Sequence, residues 1–311
     1  MKCLGVSCVR NEADILELWA RHNLNLVDEL HVIDHLSIDR SRWVLEQLRA
    51  EGLPVFLYAA TDPGHHQPQL LTALARRLAP EREADYLVPL DADELLAAPD
   101  RAAFHQALSA IPAGRGGALY WQTFLPEPPA TDPTLPFFQR MRRYRQHELR
   151  TMTKVVLRGD GCPAYAWSPG CHQAFDAAGQ PLETVILPFR LGHYPVRNAD
   201  QLARKVLTGA VARALKPHRQ PGEGQHWDRV LAELRDSGYR PEALNLERIA
   251  LTYSFPDTPE VQTVLQALAL PTFANVIQRY PAEPLSWRAA LRDSLRHAAD
   301  AQSKSDGTGT G

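Results

Sequence analysis

Three carboxylates stand within four positions of the sequence, at Asp91, Asp93 and Glu94, directly after the apolar run from Tyr86 to Leu90. Like charges this close resist joint ionisation unless positive charge lies beside them. A divalent cation supplies that charge, because Mg²⁺ and Mn²⁺ take one or two protein carboxylates and complete their coordination with phosphate oxygens and water. The same residues also fit the first turn of a helix, where acidic side chains favour the positive end of the helix dipole. The cluster therefore predicts either a metal-assisted phosphate site or an acidic helix N-terminus.

The composition excludes some classes of partner. The chain has 311 residues, of which 44% are hydrophobic and 23% charged, as in an ordinary soluble globular protein. A net charge of -2 gives no bulk attraction to nucleic acid or to an anionic membrane. No apolar run approaches the roughly 20 residues that cross a bilayer, and the first apolar run is too short for a signal peptide. We therefore expect a cytoplasmic protein with no nucleic-acid partner and no transmembrane segment.

The acidic cluster follows the fourth of four predicted strands, with predicted helices between them. Apolar runs of strand length alternate with stretches whose apolar residues recur at helical spacing. The strands are predicted at 3–9, 29–34, 55–58 and 86–90, and the helices at 15–24, 43–50 and 70–78. This alternation predicts an α/β fold with a mostly parallel central sheet flanked by helices. Ligands bind beyond the carboxyl ends of such strands, so Asn11, Asp34 and the acidic cluster should converge on one site.

After the fourth strand, the sequence predicts first further strands and then, toward the C-terminus, helices and a disordered end. Further strands are predicted at 118–124, 153–157 and 185–191, and a proline-rich loop runs from Pro126 to Pro136. Beyond Asn198 the pattern is helical, and the Gly-, Ser- and Thr-rich end is typical of disorder. We therefore divide the chain into an α/β domain at 1–200, a helical C-terminal region at 201–300 and a disordered tail at 301–311.

Several of these segments, in this order, resemble motifs of family 2-type glycosyltransferases. The stretch from Val9 to His22 looks like the opening of that family, in which the first strand ends in Asn-Glu. Residues 32–39 (VIDHLSID) are similar to its Asp-x-x-Ser-x-Asp motif, and residues 90–94 (LDADE) to its Asp-x-Asp signature. Residues 191–197 (LGHYPVR), with Lys205 downstream, resemble the closing His-containing segment of a branch related to family 92. The resemblance covers about residues 3 to 205.

This resemblance implies a GT-A fold over the α/β domain and the transfer of a sugar from a nucleotide-diphosphate sugar to a glycan or glycoconjugate acceptor, with inversion at the anomeric carbon. Asp91 and Asp93 would face the diphosphate through Mn²⁺ or Mg²⁺. Asp93 would be the first ligand and central to catalysis, and Asp91 would contact the ribose or the metal through water. The nucleoside part of the donor would be held by the ends of the first two strands, at Val9, Asn11, Glu12 and Asp34.

Other side chains are candidates for further roles. His193 is either an additional metal ligand or a hydrogen-bonded core histidine, and His172 offers the same choice or a contact to the acceptor. Glu94 either supports the metal site or begins a helix. Arg140 and Lys154 border predicted strands and are candidates for binding the diphosphate or an anionic acceptor, and a solvated basic face is the alternative for the segment around Arg140. An inverting transfer also needs a base near the acceptor hydroxyl, for which the candidates are His172, Glu127 and Asp176.

Two other functions are compatible with the same fold. A nucleotidyltransferase that makes nucleotide sugars is disfavoured, because no Gly-rich basic phosphate loop follows the first strand. The second alternative is a non-catalytic protein that binds a nucleotide or a sugar. The intact Asp91 and Asp93 argue against it, whereas His35 and Leu36 leave it open, since many members of the family have Asp and Gly there. The leading prediction is a metal-dependent glycosyltransferase with Mn²⁺ or Mg²⁺ as cofactor.

Overall fold

The computed structural model describes residues 1–64, 66–127, 131, 135, 137–148, 152–216, 224–254, 264–265, 278–281, 283 and 285–307. Its strands are β1 (Cys3–Val9), β2 (Glu29–His35), β3 (Val55–Ala60), β4 (Tyr86–Pro89), β5 (Glu94–Ala97), β6 (Gly116–Thr123), β7 (Tyr144–Arg145), β8 (Thr153–Arg158), β9 (Ala166–Trp167), β10 (Ala174–Phe175), β11 (Thr184–His193) and β12 (Val264–Leu265). Its α-helices are α1 (Ala13–Asn23), α2 (Ser41–Ala50), α3 (Gln67–Glu81), α4 (Arg101–Ser109), α5 (Phe137–Arg140), α6 (Ala199–Ala214), α7 (Gln225–Asp236), α8 (Leu246–Leu251) and α9 (Trp287–Gly307).

Eight of these strands form one sheet, in the order β3-β2-β1-β4-β8-β6-β11-β5. The parallel pairs are β1 with β2 and β4, β2 with β3, and β6 with β11. Strand β8 runs antiparallel to β4 and β6, and β5 runs antiparallel to β11. Six of the eight strands therefore point in the same direction, and the prediction of an α/β fold with a mostly parallel sheet flanked by helices is confirmed.

Helices cover both faces of this sheet because the strands carry apolar side chains on both sides. Val32 of β2 belongs to the same buried cluster as Trp19 of α1 and Leu45 of α2. The next residue, Ile33, belongs to a second buried cluster with Leu74 of α3. Each fully buried side chain of this size contributes about 1.5–3 kcal/mol to folding. Such two-sided burial produces the continuous apolar runs from which the strands are predicted.

The acidic cluster is followed by strand β5 and not by a helix. Glu94 begins β5 and pairs in register with His193 of β11. The turn before it is tight: the Glu94 N–H donates to the carbonyl oxygen of Asp91 at 3.0 Å, and the Asp91 N–H donates to Glu94 Oε2 at 2.8 Å. Leu95 and Leu96 are completely buried, and an extended strand inserts both into the core. The interpretation of the cluster as an acidic helix N-terminus is therefore wrong.

Helix α1 covers the outer edge of β5, which pairs with β11 alone among the strands of the described residues. Asn23 Nδ2 donates to the carbonyl oxygen of Glu94 at 3.1 Å, and Asn23 Oδ1 accepts from the N–H of Leu96 at 3.0 Å. His22 Nε2 lies 2.8 Å from the carbonyl oxygen of Leu96. A strand edge carries backbone groups without a strand partner, and these side chains satisfy them. The carboxyl end of α1 thus fixes the strand that follows the acidic cluster.

The helices after β11 pack mainly on one another. Val206 of α6 is buried with Val230 of α7 and Ile249 of α8, and α6 also packs against α9. Helix α9 runs to Gly307, so residues 301–307 are helical where the composition predicted a disordered tail, because alanines at 298, 299 and 301 favour continuation of the helix. Residues 308–311 of that tail lie outside the described residues. Within the described ranges, no helix has the length and the apolar character needed to cross a membrane.

Replacing Asn23 with Leu should lower the free energy of unfolding by about 2–4 kcal/mol, because the new side chain leaves two buried backbone groups of β5 without hydrogen bonds. Urea denaturation followed by circular dichroism measures the change. Gln106→Leu, at an exposed position on α4, serves as a control and should change the free energy by less than about 0.5 kcal/mol. If Asn23→Leu were as stable as the wild type, β5 would not depend on this helix.

Candidate active site

A cavity of about 1230 Å³ opens at the carboxyl ends of β1, β2 and β4. The loop between β1 and α1 contributes Asn11 and Glu12, the end of β2 contributes His35, and the loop after β4 contributes Asp91 and Asp93. Helices α6 and α7 form another wall. The strand ends that the sequence predicts to converge therefore border one cavity.

The first two strand ends are held together by their own polar side chains. Asn11 has a φ of 57°, a left-handed conformation that Asn tolerates better than most residues. Its N–H donates to Ser37 Oγ at 3.0 Å, and its side-chain Oδ1 accepts from the N–H of Ile38 at 2.9 Å. Asp39 Oδ2 accepts from the N–H of Ala13, the first residue of α1, at 3.0 Å. The Ser and Asp of the second-strand motif thus bind the loop after β1, and they shape the cavity from behind.

Asp34 lies beside the cavity and does not line it. Only 5% of Asp34 is exposed, and its Oδ1 accepts from the N–H of Ser37 at 3.3 Å. Burial raises the pKa of this carboxyl above its ordinary value. The next residue, His35, does line the cavity, and its Nε2 lies 2.5 Å from the carbonyl oxygen of Asp62. Since a carbonyl oxygen only accepts, Nε2 carries the proton, and burial lowers the pKa of His35 so that the ring is neutral.

Asp91 has both carboxylate oxygens bound by side chains. Gln67 Nε2 donates to Oδ1 at 2.7 Å, and Lys154 Nζ donates to Oδ2 at 2.6 Å. Lys154 is completely buried on β8, and its ammonium group also lies 3.3 Å from Glu94 Oε2. A buried ammonium group is stable only when opposite charge meets it, and Asp91 and Glu94 supply that charge. Lys154 is therefore an integral part of the acidic cluster.

Asp93 has a lysine partner of its own. Lys205 Nζ, from α6, lies 2.5 Å from Asp93 Oδ2 and 3.7 Å from Glu12 Oε1. Burial alone would raise the pKa of Asp93, but the positive charges of Lys205 and Arg197 outweigh it and hold the pKa well below the ordinary value. Asp93 is therefore ionised at neutral pH.

A second group of charges continues from Glu12. Arg197 donates to Glu12 Oε2 at 2.5 Å and to Asp14 Oδ2 at 2.6 Å, and it is buried. Arg204 lies 3.5 Å from Asp14 Oδ1. Burial raises the pKa of Glu12, and the nearby Arg197 and Lys205 oppose that rise. This chain of charges fixes α6 against the first loop of the site.

Glu94 is buried behind the loop and orients it. Trp121 Nε1 donates to Glu94 Oε1 at 2.6 Å, while Oε2 accepts from the N–H of Asp91. Burial raises the pKa of Glu94, the charges of Asp91 and Asp93 act in the same direction, and Lys154 opposes them. Glu94 therefore positions the loop and does not reach the cavity lining.

Two histidines line the cavity beside Trp121. The His193 ring stacks on Trp121 with centroids 3.9 Å apart, and burial lowers its pKa well below the ordinary value. His172 Nδ1 lies 2.8 Å from the carbonyl oxygen of Thr153, so Nδ1 carries the proton and Nε2 is left as an acceptor. A Cβ added at Gly170 would lie 2.5 Å from His172 Nε2, so the glycine gives this nitrogen its room. Burial lowers the pKa of His172 to about 4.

Five predicted site residues do not line the cavity: Asp34 and Lys154, described above, and Arg140, Glu127 and Asp176. Arg140 Nη1 donates to Glu127 Oε2 at 2.6 Å, so these two side chains neutralise each other in the segment around α5. Asp176 accepts from the N–H groups of Ala178 and Gln180 at 2.9 and 2.8 Å, as expected for a turn residue. The predictions of Arg140 at the diphosphate and of Glu127 or Asp176 as the base therefore lack support from the contacts of these residues.

The carboxylates predicted to bind Mn²⁺ or Mg²⁺ already have protein cations beside them. No group of three or more His, Cys, Asp or Glu side chains among them converges on a point that could hold a metal ion. Asp91 is bound by Gln67 and Lys154, and Asp93 is bound by Lys205. A metal site at Asp91, Asp93 and His193 stays a prediction, and in this structure lysine ammonium groups hold the two carboxylates.

Sequence reasoning also missed one wall of the cavity. Helix α6 presents residues to it at intervals of three and four, which is the spacing of one helical face. Several of these side chains are basic, and basic residues that recur at helical spacing could have indicated this binding face from the sequence. The α6 residues that line the cavity are Gln201, Arg204, Lys205, Thr208, Gly209, Ala212 and Arg213.

Comparison with known proteins gives weak similarities only. No model of a known protein family matches the sequence, and no curated protein matches it. The solved structures that resemble it include S. aureus TarS 1-349 in complex with UDP, at 12% identity over 77% of this chain and 72% of that chain, with a TM-score of 0.37. The mannosyltransferase PcManGT from Pyrobaculum calidifontis, in complex with GDP-Man and Mn²⁺, is 14% identical over 96% of this chain and 86% of that chain, with a TM-score of 0.38.

Glucosyl-3-phosphoglycerate synthase from Mycobacterium tuberculosis, in complex with Mn²⁺, UDP and glucosyl-3-phosphoglycerate, is 18% identical over 39% of this chain and 44% of that chain, with a TM-score of 0.27. Scores this low establish neither a common fold nor a common activity. The ligands in these structures belong to those proteins.

Lys154→Met should lower the free energy of unfolding by about 3–5 kcal/mol, because it leaves Asp91 and Glu94 without the ammonium group between them. Adding Asp91→Asn should restore part of the loss, since the carboxylate that has lost its ammonium partner then becomes a neutral amide. Lys2→Met is the matched control: Lys2 pairs with Glu29 at 2.8 Å near the surface, and its loss should cost less than about 1 kcal/mol. Urea denaturation measures all four proteins, and equal losses for the two single lysine variants would contradict the assignment.

The pH dependence of stability should report the titration of the half-buried His172. In the unfolded chain this histidine takes up a proton below about pH 6.5, whereas in the folded protein its pKa of about 4 keeps it neutral. The unfolded state therefore binds more protons between these values, and this contribution to stability is lost as the pH falls. Relative to the wild type, His172→Asn should remove a slope of up to about 1.4 kcal/mol per pH unit in this window. Denaturation at several pH values gives the free energy of unfolding of both proteins as a function of pH. Parallel curves for the wild type and His172→Asn would show that the pKa of His172 is the same in the folded and the unfolded state.

Proposed function

We propose that the protein transfers a sugar from a nucleotide-diphosphate sugar to a glycan or glycoconjugate acceptor, with a GT-A type fold over about residues 1–200 and the helices at 201–300 completing the site. The observation that supports it is that three sequence motifs border one cavity, through Asn11 and Glu12, His35, and Asp91 and Asp93. A volume of about 1230 Å³ exceeds that of a typical small-ligand pocket and is sufficient for a donor and an acceptor together.

In this proposal the donor extends across the strand ends. The nucleoside lies along the ends of β1 and β2, where Val9, Asn11 and His35 line the cavity. The diphosphate lies between the loop after β4 and helix α6. Arg204 and Lys205 supply positive charge there, and such preorganised charge stabilises a departing diphosphate without reorganisation during the reaction.

We assign the base to His172. A neutral imidazole whose Nδ1 is fixed as a donor has Nε2 available to accept a proton, and Nε2 stands beside Gly170 on the cavity wall. As the acceptor hydroxyl gives its proton to Nε2, its oxygen bonds to the anomeric carbon. The bond from that carbon to the diphosphate oxygen breaks, and the nucleoside diphosphate leaves. Attack from the side opposite the leaving group inverts the anomeric configuration.

Aromatic side chains beside His172 suit a sugar acceptor. Trp121, Trp227 and Tyr253 line the same cavity, and the rings of Trp227 and Tyr253 meet edge to face at 5.2 Å. Aromatic rings offer apolar contact area together with a polar edge, which fits the mixed surface of a sugar ring. This wall lies next to the proposed base, so an acceptor packed on it would present a hydroxyl to Nε2.

A panel of nucleoside diphosphates and nucleotide sugars, tested by thermal shift and by donor hydrolysis, measures this function. The nucleotides of one base, each added at about 100 times its Kd, should raise the unfolding midpoint by roughly 4 °C. Binding to the folded state at this concentration adds about 2.7 kcal/mol to the free energy of unfolding. His172→Asn should keep that shift and lower turnover by about 10²- to 10⁴-fold, because the base acts on the acceptor.

Two results would redirect the proposal. If no nucleotide stabilised the protein, the donor site would be refuted. If nucleotides stabilised it while no donor was turned over, the non-catalytic binding protein would replace the transferase.

A further inference from the structure

We infer that lysine ammonium groups take the place that a divalent cation holds in metal-dependent sugar transfer: Lys205 meets the diphosphate of the donor, while Lys154 permanently neutralises Asp91. This inference rests on the proposed function, because it concerns how the same site holds its donor. It departs from the family resemblance, which implies Mn²⁺ or Mg²⁺ at Asp91 and Asp93.

Lys154 cannot leave Asp91 without a large cost. Its side chain is completely buried on β8, and its ammonium group lies 2.6 Å from Asp91 Oδ2 and 3.3 Å from Glu94 Oε2. Gln67 occupies the other oxygen of Asp91 at 2.7 Å. A metal ion bound directly to Asp91 would bring a second cation close to the ammonium group, where repulsion at short range is strong. The charge of Asp91 is therefore already neutralised by a protein cation.

Lys205 differs from Lys154 because it reaches the cavity. Its side chain is 26% exposed, and it lines the cavity while contacting Asp93 at 2.5 Å and Glu12 at 3.7 Å. Its ammonium group also lies 5.7 Å from the centre of the Trp227 ring, within the range of a cation–π contact. The two carboxylates and the ring hold one positive charge at the floor of the cavity. An ammonium group has three donors, so one that binds Asp93 retains a donor for a phosphate oxygen.

Further cations stand on the same side of the cavity. Arg204 and Arg213 of α6 and Arg229 of α7 line it together with Lys205. Guanidinium groups suit phosphate oxygens, because they offer several donors in a fixed plane. The negative charge that accumulates on a departing diphosphate would therefore meet side-chain cations carried by two helices.

Binding of UDP and GDP, measured by isothermal titration calorimetry in excess EDTA and in Mn²⁺, tests this inference. The wild type should bind one of them with the same Kd in both buffers to within about a factor of three. Lys205→Ala should weaken binding in EDTA by about 10- to 100-fold, because a charge-assisted hydrogen bond is lost. Lys205→Arg keeps the charge and should retain most of the affinity, and a melting curve for each variant verifies that it is folded.

Lys2→Ala is the matched control. Lys2 forms an ion pair with Glu29 at 2.8 Å at the amino end of β1, and the cavity lies at the carboxyl end, so nucleotide affinity should be unchanged. A titration of the nucleotide-free wild type with Mn²⁺, followed by electron paramagnetic resonance, should show no saturable site.

The outcomes separate the two proposals. Nucleotide binding that disappears in EDTA and returns with Mn²⁺, or a saturable Mn²⁺ site in the free protein, would overturn the lysine assignment and leave the transferase standing. Affinity of Lys205→Ala equal to that of the wild type in EDTA would also overturn it. Absence of binding by UDP, by GDP and by every other nucleoside diphosphate of the panel, in both buffers, would refute the proposed function and this inference together.

Discussion

The burial of the Lys154 ammonium group is the constraint on which the site depends. Taking a charge out of water costs several kcal/mol, and only close opposite charge offsets that cost. The position of the lysine follows from strand pairing, since β8 runs antiparallel to β4 with Leu157 opposite Leu87. Continued along both strands, this register brings Lys154 level with Leu90, next to Asp91. Strand β8, which runs antiparallel at the centre of a largely parallel sheet, therefore places the Lys154 ammonium group at the end of β4, beside the carboxylates that follow it.

From that point opposite charges alternate across the carboxyl end of the sheet. Lys205 links Asp93 to Glu12, and Arg197 links Glu12 to Asp14 at the start of α1. Each charge in such a series is stabilised by its neighbours, so the contributions are not independent. The arrangement joins α6, which lies after all strands of the sheet, to the first helix of the chain. The helical C-terminal region is thus coupled to the site by buried ion pairs, and the boundary near residue 200 marks a change of secondary structure.

Features that depend on residues close together in the chain can be predicted from the sequence. Features that depend on residues far apart in the chain cannot. Strands β1 to β4 and the convergence of their ends are predictable, because a strand that is buried on both faces has a continuous apolar sequence. Strand β5 is not, since Leu95 and Leu96 are too few to establish a period. The lysine partners of Asp91 and Asp93 are 63 and 112 positions away, so their identities depend on the order of strands and on the docking of α6. Glu127 and Asp176 were candidates by residue type alone, and local partners account for both.

Helix α1 makes the site and the far edge of the sheet one mechanical unit. The helix begins directly after Asn11 and Glu12 on the cavity, and it ends at Asn23 on the backbone of β5. Strand β5 in turn starts with Glu94, whose carboxylate holds the loop of Asp91. Movement of the loop that carries Asp91 would therefore have to strain α1. Separation of α1 from β5 would release that loop. Local opening is thus expected to be cooperative across these elements, so that the cavity floor loses its shape only when the sheet edge also unravels.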